Sequence, residues 1–326
     1  MTADDTGFNA LINFIKEHNE ITLISHISPD GDTLGSALAM YLLITRMGKK
    51  CEAVCENPVP RIYAFFPNAD KVVKPENAEG YPAVIAIDCA DASRMGRSAV
   101  LFNAAKETAL IDHHVTNPGF AGINLVIPQA SAVAEIIENI YSKMDMPVDR
   151  DAACCIYAGI VTDTGNLSYD NTTPAALRII ADFVERGLDI AKLNRLIYRT
   201  VPYSKTRVQG YINSKIILEH GGEIGYAVLT RAQMLGYDAS DEDCEGVIDC
   251  IRDIDCVKIA VFIREGADGS FKVSLRSKDT GDVCSIARKF GGGGHKRAAG
   301  YTSRSPLSGV IAGVIDEAAK ALRDGT

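Results

Sequence analysis

The chain has 326 residues, 47% hydrophobic and 23% charged, which is the composition of a folded protein with room for two ordinary domains. It lacks the roughly 18 consecutive apolar residues of a membrane span, a secretory signal and any Cys-x-x-Cys pair among its nine cysteines. We therefore expect a cytoplasmic protein with reduced thiols and no membrane partner. Its net charge of -8 opposes binding to long duplex nucleic acid.

Short apolar runs in the first half of the chain indicate buried parallel strands at residues 21–25, 83–87 and 108–111. Apolar residues with helical spacing lie between and after them, at residues 35–47 and 131–141. Two further helices are predicted at residues 151–161 and 174–186, the second with Thr173 as its N-cap and Gly187 as its stop. This alternation predicts a doubly wound α/β domain with a mainly parallel sheet.

The pattern changes after residue 200, and we expect three regions along the chain. These are a first domain at 1–200, a helical linker at 201–222 and a second domain at 223–326. Within the linker, a mostly polar helix is expected to run from Tyr203 to about Leu218. The second domain is predicted to be a smaller α/β unit with a mixed sheet. Its predicted elements are strands at 224–229, 257–264 and 271–276, helices at 242–251 and 282–290, a four-glycine loop and a last helix.

Acids and histidines follow the three predicted strands of the first domain. They are His26, Asp30 and Asp32 after the first strand, Asp88 after the second, and Asp112, His113 and His114 after the third. A fourth segment, Thr162-Asp163-Thr164-Gly165, ends a helix that can reach the same place. Because the carboxyl ends of parallel strands open on one crevice, these side chains are expected to converge there.

Carboxylates gathered in one crevice repel one another unless a cation lies among them. Oxygen and imidazole ligands suit Mn²⁺, and Mg²⁺ also fits. Asp30 and Asp32 leave one tight turn in different directions, so each can reach a different ion, and Asp88 can bridge the two. Two ions about 3.5–4 Å apart can hold a hydroxide and stabilise an in-line displacement at phosphorus. A single Asp or His after a strand is more often a helix cap or a surface residue than a metal ligand. Placement of such residues by chance at three successive strand ends is improbable.

The glycine run of the second domain predicts an anion site. Gly291, Gly292, Gly293 and Gly294 allow close backbone approach, so their amides can surround a phosphate, with His295 and Arg276 adding charge. A flexible hairpin is the alternative interpretation. The basic surroundings favour the anion site, because residues 272–304 hold eight Lys and Arg against two Asp.

These segments resemble the motifs of the DHH phosphoesterase superfamily, named for the triplet that stands here as Asp112, His113 and His114. The stretch from Phe290 to Gly300 resembles the glycine-rich signature of the DHHA1 domain. Length and motif order are similar to the NrnA-type oligoribonucleases, which also hydrolyse adenosine 3',5'-bisphosphate (pAp), and to relatives that act on linear dinucleotides.

The resemblance implies a role for each motif residue. One metal ion would be held by His26, Asp30 and Asp88, and the other by Asp32, Asp88, His113 and Asp163. Asp112 would orient the histidine cluster, and His114 would touch the scissile phosphate and protonate the leaving oxygen. Arg276 and His295 would grip a phosphate or terminal nucleotide. The chain departs from the pattern at Leu167, where many relatives carry an aromatic residue.

We therefore expect a two-metal phosphodiesterase with its catalytic crevice on the first domain and a substrate clamp on the second. The expected substrates are short single-stranded RNA, linear dinucleotides and pAp. A pyrophosphatase or polyphosphatase is the enzyme alternative, although the Ser-Arg-Lys-Lys-Gln type of motif of the family II pyrophosphatases does not occur in this sequence. A nucleotide sensor without turnover is the other alternative. The sequence leaves a homodimer open.

Overall fold

The computed structural model describes residues 3–278 and 280–324, which form two compact units that divide after Thr200. The main elements of the first unit are α1 (Ala3–Glu17), β1 (Glu20–Ser25), α2 (Gly31–Arg46), β2 (Lys50–Val54), β3 (Val72–Val73), β4 (Ala83–Ile87), α3 (Ala99–Ala104), β5 (Glu107–Asp112), β6 (Ile123–Val126), α4 (Val133–Lys143), α5 (Arg150–Asp163), α6 (Pro174–Glu185) and α7 (Ile190–Asn194). A π-helical turn, Arg195–Arg199, ends the unit.

The six strands of the first unit form one parallel sheet in the order β3-β2-β1-β4-β5-β6. Alternate strand residues face opposite sides. Leu23 and Ile85 join the large core formed with the long helices, whereas Ile24 and Val84 face a smaller core with Met95. Burial of both faces explains why the strands read as continuous apolar runs. The predicted doubly wound, mainly parallel sheet is confirmed.

Helices α2 and α5 pack closely because glycines lie where they touch. A Cβ atom on Gly35 would lie 2.4 Å from the carbonyl oxygen of Cys155. A Cβ atom on Gly159 would lie 2.6 Å from the Cβ of Ala134 and 2.9 Å from Oδ1 of Asp32. Larger side chains at these two positions would separate the helices that carry Asp32 and, at the end of α5, Asp163.

The second unit contains α8 (Tyr203–Ser214), β7 (Ile217–Glu219), β8 (Ile224–Leu229), α9 (Arg231–Gly236), α10 (Asp249–Arg252), β9 (Ile259–Glu265), β10 (Phe271–Ser277), α11 (Val283–Lys289), β11 (Gly293–His295), β12 (Ala298–Ser303) and α12 (Leu307–Asp324). Its sheet has the order β11-β12-β10-β9-β8-β7. Strands β8 and β9 are parallel and the other neighbours are antiparallel. The expected mixed sheet is therefore confirmed.

Three predictions of detail for the second unit were wrong. The helix expected at 242–251 is a short 3-10 turn, Glu242–Cys244, and the four-residue α10, because Gly246 interrupts it with φ +75°. The polar helix expected to run to Leu218 ends at Ser214, and the edge strand β7 follows it. The glycine loop is in part the strand β11, which pairs with β12.

No helix within residues 3–278 and 280–324 combines the length and the apolar character that a membrane crossing requires.

The close contact of α2 with α5 predicts the effect of enlarging Gly35. Gly35→Ala should lower the free energy of unfolding by about 1–3 kcal/mol, because its new methyl group would overlap the Cys155 carbonyl. Gly210→Ala is the matched control, since Gly210 lies inside α8 with open space around its Cα. The control should leave stability unchanged or raise it by about 1 kcal/mol. Urea unfolding followed by circular dichroism measures both, and equal effects of the two variants would contradict the packing argument.

Candidate metal centre

The site lies where three neighbouring strands of the first sheet end. His26 follows β1, Asp88 follows β4, and Asp112 is the last residue of β5. Strand β1 lies between β2 and β4, and the strand order reverses at this point of the sheet. In open parallel sheets the crevice at such a reversal is the usual ligand site. The topology therefore brings these three side chains to one edge.

The two carboxylates of the Asp30-Gly31-Asp32 turn are each positioned by helix amides. Oδ1 of Asp30 accepts from the amides of Asp32 and Thr33 at 3.1 and 3.0 Å, so Asp30 is the N-cap of α2. Gly31 sits so close to the end of α5 that a Cβ atom there would lie 2.4 Å from Oγ1 of Thr162. The turn is thereby placed beside Asp163, the next residue.

Asp32 is held by the first turn of α4. Its Oδ2 accepts from the amide of Val133 at 2.7 Å, and its Oδ1 accepts from the amide of Ala134 at 2.9 Å and from the Ser36 hydroxyl at 3.1 Å. The side chain is buried. Amides at a helix start favour negative charge, so this contact fixes and stabilises the carboxylate at the site.

Two groups of side chains face each other across Asp88. In the first, Nε2 of His26 lies 3.6 Å from Oδ2 of Asp30 and 3.5 Å from Oδ2 of Asp88. In the second, Nε2 of His113 lies 3.5 Å from Oδ2 of Asp163 and 3.9 Å from Oδ1 of Asp88. Asp32, His113 and Asp163 each offer a ligand atom within 4.8 Å of the others, as do His26, Asp30 and Asp88.

Both imidazoles present the Nε2 atom to the carboxylates. Nδ1 of His26 donates to the carbonyl of Ile27 at 2.7 Å, and Nδ1 of His113 donates to the carbonyl of Ala130 at 3.1 Å. A histidine whose Nδ1 is occupied in this way has its Nε2 lone pair available to a metal when the ring is neutral. The backbone thus selects the tautomer that a metal site needs.

Asp88 carries the clearest sign that a cation belongs here. Its side chain is 4% exposed, and Oδ1 has no hydrogen-bond partner among the described residues. Its φ is +57°, a conformation that a residue with a Cβ rarely adopts and that is often found at functional sites. A buried carboxylate oxygen without a donor is costly unless a cation contacts it. The residues therefore fit a divalent metal ion at this edge of the sheet.

The pKa values report the crowding of negative charge. Burial by itself would lower the pKa of His26, but its hydrogen bonds with Asp30 and Asp88 and their charges raise it to about 10. Burial would also lower the pKa of His113, and the surrounding carboxylates raise it to about 9. Burial raises the pKa of Asp163 to about 6, and His113 opposes the rise. This edge of the sheet favours positive charge, which a divalent ion supplies more strongly than an imidazolium.

The third histidine is oriented by Asp112. The fully buried Asp112 accepts from Nδ1 of His114 at 2.9 Å through Oδ1. Its Oδ2 accepts from Nδ2 of Asn117 at 2.6 Å and from the amide of His114 at 3.2 Å. Asn117 also donates to the carbonyl of Cys89 at 2.9 Å and so links the loops after β4 and β5. Asp112 thus holds one ring rather than the whole histidine cluster.

Three polar residues near the site escaped the sequence analysis. Asn117 lies three residues after His114, and a polar residue so close to the triplet was the only available signal. Nη2 of Arg94 lies 3.2 Å from Nδ1 of His26. Nδ2 of Asn171 donates to the carbonyls of Ser131 and Asp163 at 2.9 and 3.2 Å. Nothing in the sequence pattern distinguishes the last two residues from ordinary loop residues.

The residues expected to bind substrate lie in the second unit. Gly291 follows α11 with φ +77°, and Gly292 is so close to β12 that a Cβ atom would lie 2.2 Å from the carbonyl oxygen of Gly300. Gly293 and Gly294 belong to β11, as does the backbone of His295, whose side chain lies outside the described part of the structure. The run is therefore anchored to the sheet by close backbone contacts.

Arg276 points into a cavity of about 390 Å³ on one face of the second sheet. Arg264 and Lys272 add two further cations to its lining, and Asp241 and Glu245 add two carboxylates. Lys272 and Arg276 share a face of β10 because side chains alternate along a strand, whereas Val273 and Leu275 face the core. The face is concave and rich in hydrogen-bond donors, which suits a small anionic ligand.

Two family models match the chain. The model described as the DHH family, N-terminal domain, matches residues 20–160. The model described as the DHHA1 domain matches residues 223–324. The first range contains all the residues of the candidate metal centre except Asp163, and the second contains Arg276 and the glycine run.

Several proteins are similar to the chain over most of its length. The bifunctional oligoribonuclease and PAP phosphatase NrnA of Thermus thermophilus is 32% identical over 86% of this chain and 83% of that protein. The protein of the same name from Bacillus subtilis is 27% identical over 89% of this chain and 91% of its own length. Among solved structures, an exopolyphosphatase-related protein from Bacteroides fragilis superposes with a TM-score of 0.91 at 23% identity, covering 97% of this chain and 96% of that one. At that identity the likeness shows the fold alone.

Oδ1 of Asp88 lacks a hydrogen-bond partner among the described residues, and this predicts how the protein responds to metal. Mn²⁺ at a hundred times its dissociation constant should stabilise the folded wild-type chain by about 2.7 kcal/mol, which a thermal melt detects as a higher Tm. Asp88→Asn should lose most of this gain, because the amide lacks the negative charge of the buried carboxylate. Asp70→Asn is the control, since Asp70 is an exposed carboxylate with a 78% accessible side chain. An unchanged response in the Asp88 variant would argue against Asp88 as a ligand.

Proposed function

The chain belongs to the DHH–DHHA1 family of phosphoesterases, in its NrnA-like branch, and from this membership we propose that it hydrolyses phosphate esters of short oligoribonucleotides, linear dinucleotides and pAp. It is a phosphoric ester hydrolase. The observation that carries the proposal is the presence of two adjacent groups of possible metal ligands, one formed by His26, Asp30 and Asp88 and the other by Asp32, His113 and Asp163. Oδ1 of Asp88 also lies 3.9 Å from Nε2 of His113, so Asp88 lies between the two groups. Two metal ions held close together are a common way to cleave a phosphoester.

The proposed ligand sets are those that the family resemblance implies, and the contacts described above support them. One ion would be held by His26, Asp30 and Asp88, and the other by Asp32, Asp88, His113 and Asp163. Bound Mn²⁺ or Mg²⁺ would lower the pKa of a water molecule and offset the negative charge that develops at phosphorus. Mn²⁺ is proposed as the working ion because imidazole ligands suit it better than they suit Mg²⁺.

His114 is the proposed proton donor. In the reaction the water oxygen bonds to phosphorus while the bond from phosphorus to the leaving oxygen breaks, and that oxygen needs a proton. The hydrogen bond from Nδ1 of His114 to the buried Asp112 fixes the ring and favours its protonated form. Asn117 completes this arrangement by donating to the other oxygen of Asp112. Asp112 and Asn117 therefore act on the reaction through the orientation of His114.

The second unit is proposed to bind the phosphate or terminal nucleotide of the substrate. Arg276 would supply a planar guanidinium suited to phosphate, and His295 would add a further donor. The amides of Gly291 and Gly292 donate to the carbonyls of Arg288 and Ala287, so the Gly291–Gly294 run would act by letting the substrate approach the backbone closely. The cavity of about 390 Å³ beside Arg276 suits one or two nucleotides rather than a polymer. The net charge of -8 supports the same preference, because a long nucleic acid requires many cationic contacts.

The likeness to an exopolyphosphatase-related protein is at 23% identity and shows the fold alone, so it does not favour a polyphosphatase. A pyrophosphatase or polyphosphatase would share the metal centre, yet the relative that is 32% identical is named an oligoribonuclease and PAP phosphatase. A sensor without turnover would be expected to have lost metal ligands, whereas all seven proposed ligand and proton-donor side chains of the catalytic unit are present, namely His26, Asp30, Asp32, Asp88, His113, His114 and Asp163. Hydrolysis of a nucleotide substrate is therefore favoured.

A substrate panel tests the proposed function directly. The purified full-length chain with Mn²⁺ should hydrolyse a two-nucleotide RNA, a linear di-adenylate and pAp, and should be far slower on pyrophosphate. Product chromatography for the nucleotides and phosphate release for pAp and pyrophosphate provide the rates. Turnover of pyrophosphate alone would replace the proposal with the pyrophosphatase alternative, and binding without turnover of any compound would favour the sensor.

Two substitutions should separate chemistry from substrate capture. Asp88→Ala should lower kcat by more than about a hundredfold. Loss of a ligand shared by both ions should reduce activity more than loss of a residue that only hydrogen-bonds to a ligand, which typically costs about 10- to 100-fold. His295→Ala should mainly raise KM, because its proposed contact is with a part of the substrate that does not react. Steady-state kinetics on the two-nucleotide RNA distinguish the two effects, with Asp70→Asn as the control. Retained kcat in the Asp88 variant would refute the shared-ligand role.

A further inference from the structure

The loop that follows α5 is strained and held in one shape. Gly165, Asn166 and Leu167 have φ values of +55°, +57° and +65°, so three consecutive residues lie in the left-handed region. Asparagine tolerates this conformation, but leucine rarely adopts it. The amides of Ser168 and Tyr169 both donate to the carbonyl of Thr164, at 2.9 and 3.1 Å, and hold the turn closed. Strain that is kept in place by several hydrogen bonds is often found at ligand sites.

The same loop is fastened to the candidate metal centre. Thr164 is fully buried, and its hydroxyl donates to the carbonyl of Ile160 at 2.6 Å. Nδ2 of Asn171 donates to the carbonyl of Asp163, a proposed metal ligand, and to the carbonyl of Ser131. Any side chain that this loop projects therefore keeps a fixed position relative to Asp163.

The loop projects the ring of Tyr169, which is supported on one side and open to solvent on the other. A Cβ atom on Gly165 would lie 2.4 Å from Cζ of Tyr169 and 2.6 Å from two further ring atoms, so the ring lies against the glycine backbone. The residue is nevertheless 52% exposed. An aromatic ring that is packed on one side loses little freedom when a second planar group covers the other side.

A second tyrosine, Tyr198, lies in the same area and is hydrogen-bonded to the backbone of α5. The hydroxyl of Tyr198 donates to the carbonyl of Val161 at 2.7 Å, and Tyr198 is 37% exposed. Burial raises its pKa above the usual range, and the nearby phenols of Tyr63 and Tyr169 contribute. Aromatic side chains therefore cluster next to the last turn of α5, which ends at Asp163.

We propose that Tyr169 is the base-stacking residue of the catalytic unit, on which a nucleobase next to the scissile phosphate lies. The inference rests on the proposed function. Stacking on an aromatic ring accepts every base, because each has a π face, and this suits an enzyme that acts on short RNA of any sequence.

Kinetics of Tyr169 variants of the full-length chain test the proposal. With a two-nucleotide adenosine RNA and Mn²⁺, Tyr169→Ala should raise KM about 10- to 100-fold and leave kcat within a few-fold. Tyr169→Phe should behave like the wild type, because stacking needs the ring and not the hydroxyl. Tyr169→Leu should show the raised KM while its apolar side chain still covers Gly165. Equal melting temperatures of the leucine variant and the wild type would show that the KM effect is not caused by unfolding.

Tyr81→Ala is the matched control. Tyr81 precedes β4, so it lies at the amino ends of the strands, whereas the metal centre lies at their carboxyl ends. Its amide donates to Oγ1 of Thr22. It should leave KM unchanged. Two dinucleotides that each lack one base identify the stacked nucleotide, since the analogue without that base should bind the wild type and the Tyr169 variants equally.

The outcomes separate this inference from the proposed function. A wild-type chain that fails to hydrolyse the dinucleotide RNA refutes the function itself. A wild-type chain that hydrolyses it, with an unchanged KM in Tyr169→Ala and Tyr169→Leu, overturns the stacking role alone. The stacking role is also overturned if the loss persists in full with both base-free analogues, because the ring would then contact some other part of the substrate.

Discussion

Mutual repulsion of carboxylates is the constraint around which the first unit is arranged. Asp30, Asp32, Asp88 and Asp163 lie at one edge of the sheet, and like charges at this range cannot all remain ionised without compensation. Helix amides compensate Asp30 and Asp32, and imidazoles lie beside Asp88 and Asp163. One buried oxygen of Asp88 still has no donor among the described residues. A pair of divalent cations would satisfy this oxygen and neutralise the group as a whole. The same clustered carboxylates would therefore both require the cations and hold them for the hydrolysis of phosphoesters.

The fold supplies this arrangement through close backbone contacts. Parallel strands deliver His26, Asp88 and Asp112 to one edge. Gly159 lets α5 approach α2 until its backbone is next to Asp32, and Gly31 lets the turn before α2 reach Thr162. Proteins fix functional groups most accurately on helices and strands, and the proposed ligands either lie on such elements or directly adjoin them. Catalytic geometry and core packing are therefore coupled in this unit.

Much of this organisation was predictable from the sequence because it depends on local patterns. Strands buried on both faces read as apolar runs, and residues 83–87 form a strand with the bounds expected. Thr173 caps α6 as its sequence position suggests. The hydrogen bond between Asp32 and the amide of Val133 joins residues far apart in the chain, so no local sequence pattern predicts it. Likewise, the glycine run looked like a loop because its pairing partner, β12, is visible only in the folded sheet.

The central claim is that two cations share Asp88, and anomalous diffraction at the manganese absorption edge tests it most directly. A crystal of the full-length chain grown with Mn²⁺ should show two anomalous peaks about 3.5–4 Å apart, each bonded to an oxygen of Asp88. One peak should also contact His26 and the other His113. A single peak, or two peaks that do not both contact Asp88, would contradict the account, since the buried carboxylate would then need a different explanation.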